Sequence, residues 1–466
     1  MIMNATPKNS RGWRILRRVL ITLAVLATLI AIFYTEEDWR GKRAWEKCKA
    51  ELEANGAVLD WDKYIPPPVP DDQNIFKAPK MQEWFVKRPN ATTNELMMLV
   101  TNADKIANIT NKIAAGYFLA WSDQFQPVFD IMREALKRPY ARMDGDYTRP
   151  YEIPIANFVN MRAIAQVLAQ RAKCDLLLGR PDQALDELTL LNDSRRLMER
   201  APTGKPITLV DAMVNVAITG LYVDTMAKGF QAHAWEEPQL VALQKQLAQI
   251  NLPSLVVQSF GSEPAATTHT LETAPTSNLG DLFPLRWARK WAIIPQIESA
   301  LIPRGWIYQN MATSARLVRQ QMQGYDSSND LVQPQKFLDL TRELNAIARP
   351  YKFVAAMTIP NFSKAWQTTA HHQTMVNEAR IACALERYHL ARGEYPQTLD
   401  ALVPQFIEKP PHDLIGGAPL HYRLLGGDKF LLYSVGWNET DDGGVDSPPA
   451  KNGGTDYARG DWVWKN

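Results

Sequence analysis

The alternation of apolar and polar positions changes character three times along the chain. It opens with an uncharged run from Val19 to Tyr34, preceded by Lys8, Arg11, Arg14, Arg17 and Arg18 and followed by Glu36, Glu37 and Asp38. Counted back to Ile15, this run is long enough for a helix across about 30 Å of hydrocarbon. The basic residues ahead of it predict a cytoplasmic basic tail over 1–14, a transmembrane helix over 15–35 and an extracytoplasmic remainder. Ile32, Phe33, Tyr34 and Thr35 lack the small-x-small pattern that signal peptidase needs, so a retained anchor is expected. From Asp38 to Gly56 the chain reads as a charged helix continuing outward, with Trp39, Ala44, Trp45, Cys48 and Leu52 at helical steps. The prolines from Ile65 to Asp72 stop any helix, so 36–75 reads as a juxtamembrane helix followed by a stiff linker.

The middle of the chain, 76–358, carries helical periodicity. Met81 to Tyr140 is helical in pattern, broken at Arg88-Pro89-Asn90 and Pro127, and a turn-rich patch follows from Met143 to Pro154. Ile155–Leu178 and Pro181–Met198 read as two helices around Gly179-Arg180, with Leu185, Leu188 and Leu191 at steps of three. Ile207 to Val223 holds Asp211 as its only charge. At seventeen residues it is marginal as a second span, and Asp211 with Asn215 would face hydrocarbon, so a buried core helix is expected. Trp235–Leu252 is a further amphipathic helix, and the polar segment from Glu263 to Thr276 has no clear period. The aromatic and basic stretch Leu282–Tyr308 reads as core packing with snorkelling arginines, an arrangement that would also suit a headgroup layer.

At the C-terminal end the period changes again. Asn361 to Arg392 is a long helix ended by Gly393, and a short packed segment runs from Leu399 to Phe406. Leu420–Leu425 and Phe430–Val435 read as a strand hairpin, with a last strand at Asp461–Trp464. The expected fold is mainly α, closed by a small α+β module with an antiparallel sheet over 359–466.

Composition narrows the partners. With 52 basic against 50 acidic side chains the net charge is +2, which argues against a nucleic-acid surface. No phosphate-binding loop, and hence no nucleotide site, can be read in the chain. Cys48, Cys174 and Cys383 are too far apart in sequence for a disulfide framework or a zinc site, so free thiols are expected, with one disulfide as the alternative.

Candidate chemistry is thin. Asp211 and Asn215 stand one helical turn apart and could bond to each other or to a neighbouring helix. His269 lies near Glu263 and Glu272, and His371 and His372 near Glu378, yet no metal-ligand spacing such as His-Glu-x-x-His occurs. No Gly-x-Ser-x-Gly elbow or Ser-x-x-Lys is present. Two function classes follow: a non-enzymatic envelope protein acting through protein or membrane contacts, and an extracytoplasmic hydrolase with a site around Asp211, His233 or His269.

Three resemblances add to this reading. Gly179-Arg180-Pro181-Asp182-Gln183-Ala184 resembles the turn of a tetratricopeptide hairpin, which implies an antiparallel helical pair over about 155–200. Arg304-Gly305-Trp306-Ile307-Tyr308-Gln309-Asn310, the stretch from Asn157 to Pro202 and the C-terminal end are similar to membrane-anchored proteins of unknown function from planctomycete and verrucomicrobial bacteria. That likeness implies a bacterial envelope and an inner-membrane anchor with a periplasmic body. Ala384-Leu385-Glu386-Arg387-Tyr388, Gly393-Glu394-Tyr395-Pro396, Leu399, Pro404, Pro419-Leu420-His421-Tyr422 and Leu432-Tyr433-Ser434-Val435-Gly436 resemble the globular domain of type II secretion major pseudopilins. The pseudopilin likeness implies calcium in the loop after the Tyr-Ser strand, with Asn438, Asp441, Asp442, Asp446 and Asp461 as ligands. Asn438 stands where that family has an aspartate, and Ser447–Gly453 is an insertion. The anchor also lacks the Phe-Thr-Leu-Ile-Glu start of those proteins, so the resemblance implies a folding or docking unit and no filament.

Overall fold

The computed structural model describes residues 11–85, 98–99, 109–203, 208–273, 302–426, 429–450 and 453–464. Most of the Leu282–Tyr308 stretch, the Arg88-Pro89-Asn90 break, Ile207 and the Gly427-Asp428 tip of the hairpin lie outside them. The protein is mainly helical, 65% helix against 6% strand. In chain order the helices up to Thr273 are α1 (Arg11–Ala54), α2 (Met81–Phe85), α3 (Lys112–Ser122), α4 (Gln126–Ala135), α5 (Phe158–Leu177), α6 (Pro181–Arg195), α7 (Leu209–Gln231), α8 (Glu237–Leu247), α9 (Leu252–Phe260) and α10 (Ser262–Thr273). After these come α11 (Arg304–Met322), β1 (Tyr325–Asp326), β2 (Leu331–Val332), α12 (Pro334–Ala346), α13 (Phe353–Arg392), β3 (His421–Leu424), β4 (Phe430–Ser434) and β5 (Trp462–Val463). The elements form two compact units that do not follow chain order. One takes Met1–Ala57, Leu271–Arg316 and Leu344–Met357; the other takes Val58–Thr270, Leu317–Glu343 and Thr358–Asn466.

In the first unit α1 has two halves. Its apolar half reaches a mean hydropathy of 2.2 over eighteen residues, none of them buried. Ile15, Leu20, Val25, Leu29 and Phe33 are each about half exposed. Thr28 and Thr35 return their hydroxyls to the carbonyls of Ala24 and Ala31, so neither leaves an unmet donor in an apolar setting. The helix is long and apolar enough here to cross a membrane. From Glu37 onward a buried stripe appears at Glu37, Gly41, Trp45 and Leu52, close to the helical period. Trp39, expected on that stripe, is 62% exposed and stacks beneath the Arg43 guanidinium. The stripe starts instead on a carboxylate and a glycine, which no hydropathy pattern can single out. Gly41 and Gly305 lie against each other so closely that a Cβ on either would strike backbone. Asp38 Oδ1 accepts from Gly305 N at 2.6 Å, and Glu37 accepts from Trp306 Nε1 at 3.0 Å and from the Tyr351 hydroxyl.

The second unit is built on α5, α6 and α7. Gly179 adopts φ +73° and Pro181 starts α6, so the turn predicted from these residues forms where expected. Leu168, Ala172, Ala184, Leu188 and Leu191 are fully buried between the two helices. α7, the marginal second span, is core packing, with 67% of its most apolar window buried. Arg171 is enclosed on α5, donating to Glu187 at 2.7 Å, Ser122 at 2.6 Å and Asp123 at 2.9 Å. β3, β4 and β5 form one antiparallel sheet in that order, with His421 opposite Tyr433 and Ser434 opposite Trp462.

Some boundaries moved. α13 begins at Phe353 and carries Pro360 inside it, whereas Asn361 was expected as the start. The segment from Glu263, periodless in sequence, is helical as α10 and buried on every side over the consecutive small residues Ala265, Ala266, Thr267 and Thr268, which is why it shows no amphipathic period. Thr268 returns its hydroxyl to the Pro264 carbonyl. The three cysteines are free thiols.

Truncating Arg171 leaves the buried Glu187 without its hydrogen-bonded partner and with only Arg133, 3.9 Å away, as a counter-charge. Arg171→Ala is expected to lower stability by about 3–5 kcal/mol in urea unfolding of the full chain. Adding Glu187→Leu should recover much of that loss.

Candidate functional site

The acidic C-terminal loop is held by its own amides. Asp461 is fully buried, with one carboxylate oxygen accepting from Asp442 N at 3.2 Å and the other from Gly444 N at 2.6 Å. Asp441 accepts from the Tyr433 hydroxyl at 3.0 Å and Gly443 N at 2.9 Å, and Asp446 from Ser447 N at 2.8 Å. Asn438 donates to Asp442 at 2.9 Å. Among the described residues no group of three or more acidic, histidine or cysteine side chains is placed to hold a metal. Each of the five predicted ligands has a hydrogen-bond partner within the loop or its neighbouring strands.

Behind this loop lies a group that sequence named only in passing. Glu378 on α13 is 1% exposed, and its Oε1 has no hydrogen-bond partner among the described residues. Burial pushes its carboxyl well above the ordinary 4.5, and the nearby carboxyls of Asp413 and Asp446 add to the shift. Asp413 is itself enclosed, accepting from Ser434 Oγ at 2.7 Å, Ile415 N at 2.9 Å and Val435 N at 3.0 Å. Burial and the neighbouring carboxyls both favour the neutral form of Glu378.

Of the residues proposed for hydrolysis, Asp211 and His233 are engaged with different partners. Asp211 closes a capping box at the start of α7, accepting from Thr208 N at 3.2 Å and Thr208 Oγ1 at 2.9 Å. Asn215 turns away to the buried Arg195 at 3.0 Å and to Glu199 at 2.7 Å. His233 sits on the surface 3.6 Å from Glu386. His372 returns Nδ1 to the Thr368 carbonyl and presses on Gly220, where a Cβ would collide with its ring.

What Asp211 does meet is Glu263. The first turn of α10 brings Glu263 to the first turn of α7, where its Oε1 accepts from Leu209 N at 3.1 Å. Burial raises both carboxyls, Asp211 to about 6, and the Asp211 charge pushes Glu263 further the same way. Glu263 lines a cleft of about 450 Å³ with Trp61, Tyr151, Thr208, Met213 and Phe362. Trp61 is fixed by Nε1 donating to the Tyr147 carbonyl at 2.7 Å, within a core that includes Ile153, Ala265 and Ala266. The Tyr151 hydroxyl bonds Thr267 at 3.0 Å. A half-buried carboxylate on a mostly apolar wall, with Thr208, Ser262, Thr358 and Asn361 as its uncharged polar members, is suited to orienting a ligand.

Two substitutions test the C-terminal assignments. With a raised folded-state value, Glu378 contributes stability that is fully present below about pH 4.5 and falls by about 1.4 kcal/mol per pH unit as pH rises toward the folded value. Glu378→Gln should remove that slope, so that the variant exceeds the parent in urea stability at about pH 8 more than at about pH 5; equal slopes would contradict the assignment. Asp461→Ala orphans two amides and should cost about 1–3 kcal/mol, by the same amount with calcium or with a chelator. Stabilisation of the parent by calcium that vanishes in the variant would restore the metal. No protein-family model, curated protein or solved structure matches the chain.

Proposed function

We propose that the protein is a single-pass, membrane-anchored binding module of the bacterial envelope, with its N-terminus cytoplasmic and its body on the periplasmic side. The observation that carries this reading is α1, whose wholly exposed apolar half runs unbroken into a half packed from Glu37 onward. A helix that were merely a removable signal would gain nothing from continuing into a buried stripe. The basic residues before the run and the acidic ones after it support the orientation. The resemblance of the last hundred or so residues to a pseudopilin domain supports a docking or folding role for that end and a link to secretion. Binding is favoured over hydrolysis because the largest polar feature of the Glu263 cleft is one carboxylate on an apolar wall.

Protease added to intact spheroplasts tests the orientation. The body should be digested while an N-terminal tag stays protected. A protected body with a degraded tag would reverse the topology.

A further inference from the structure

The Glu263 cleft offers more than a generic hollow. Among the described residues its wall carries one charged side chain, and that side chain is only half engaged: Oε1 takes the Leu209 amide, while Oε2 receives no protein donor. Facing the same space are the indole of Trp61 and the ring of Tyr151, the latter 61% exposed. Met213, Phe362 and Ala266 complete an apolar wall, and the volume falls within the roughly 300–1,000 Å³ of small-molecule sites. The positive end of α7 is no invitation to an anion, because Glu263 and the capping Asp211 already occupy it.

From this geometry we propose that the cleft binds a small hydrophobic ammonium, its apolar body against Trp61, Met213 and Phe362 and its N–H groups on Glu263 Oε2. Three features converge on that class. A carboxylate drawn out of water beside a second carboxyl gains most from a cation, which relieves both desolvation and like-charge repulsion. Aromatic side chains lining the same cleft, Trp61 and Tyr151, suit a hydrophobic cation better than a small hydrated one. An anionic ligand would meet Glu263 and Asp211, and a neutral one would give Oε2 an uncharged donor, which is the weaker partner for a carboxylate. The burial of both carboxyls points the same way, since ammonium binding would draw Glu263 back toward its ordinary range. The proposal rests on the cleft being a binding site and is independent of membrane orientation.

A charge series with one apolar body tests it. Full-length protein in zwitterionic nanodiscs, with empty nanodiscs as reference, would be titrated calorimetrically near neutral pH with tryptamine, tryptophol and indoleacetate. Tryptamine is expected to bind about tenfold tighter than tryptophol, the worth of one charge-assisted hydrogen bond, and indoleacetate weakest. Glu263→Gln keeps an oxygen for Leu209 N and should bring tryptamine down to the affinity of tryptophol. Met213→Trp fills the cleft and should abolish binding of all three, with circular dichroism confirming that both variants fold. Equal affinity for amine and alcohol, preference for the acid, or an unchanged amine affinity in Glu263→Gln would overturn the ligand class while leaving a binding cleft. Failure of all three probes to bind would overturn the cleft as a binding site as well.

Discussion

A helix in hydrocarbon must satisfy every backbone amide within itself, and under the proposed membrane reading of α1 this constraint governs the start of the chain. α1 cannot bend or unwind until its apolar stretch is past, so whatever holds the protein to that helix has to grip it beyond Tyr34. The grip begins one turn later, at Glu37. A carboxylate buried there is tolerable because Trp306 Nε1, Tyr351 and Arg40 all donate to it. Gly41 and Gly305 then let the backbones touch, and Asp38 caps the start of α11. The anchor and the first unit are in this sense one object.

The second unit follows a different logic. Its interior encloses polar groups: Arg171 with Glu187, Arg195 with Asn215 and Glu199, and Glu378, whose Oε1 has no hydrogen-bond partner among the described residues. Paired groups of this kind penalise the loss of either partner more than they add stability, whereas burial favours the neutral form of Glu378. The acidic C-terminal loop works similarly on a smaller scale, with Asp461 serving as an internal acceptor for two amides.

Legibility in the sequence divides along the same line. Features set by local backbone chemistry could be read directly: the Gly179–Pro181 turn, the end of α13 at Gly393, and the β3–β4 hairpin to within about a residue at each end. Features set by packing could not. α10 is hidden because its consecutive alanines and threonines are buried on every side, α13 runs through a proline that normally signals a stop, and Glu37 reads as solvent-facing charge while Trp39 reads as core. Glu263 was noticed only as a neighbour of His269. Its actual surroundings, Trp61, Tyr151, Leu209 and Phe362, come from four distant stretches, and no spacing rule links them.

The central claim is that α1 is one unbroken helix, lipid-facing up to Phe33 and gripped by protein from Glu37. A spin-label scan along α1 in bilayer nanodiscs, read by collisional accessibility to oxygen and to a water-soluble nickel complex, measures this directly. Positions from Ile15 to Phe33 should be open to oxygen and closed to nickel all round the helix, and positions 37, 45 and 52 closed to both. Nickel access within the apolar run, or a helical period of protection that starts before Tyr34 or fails after Glu37, would contradict it.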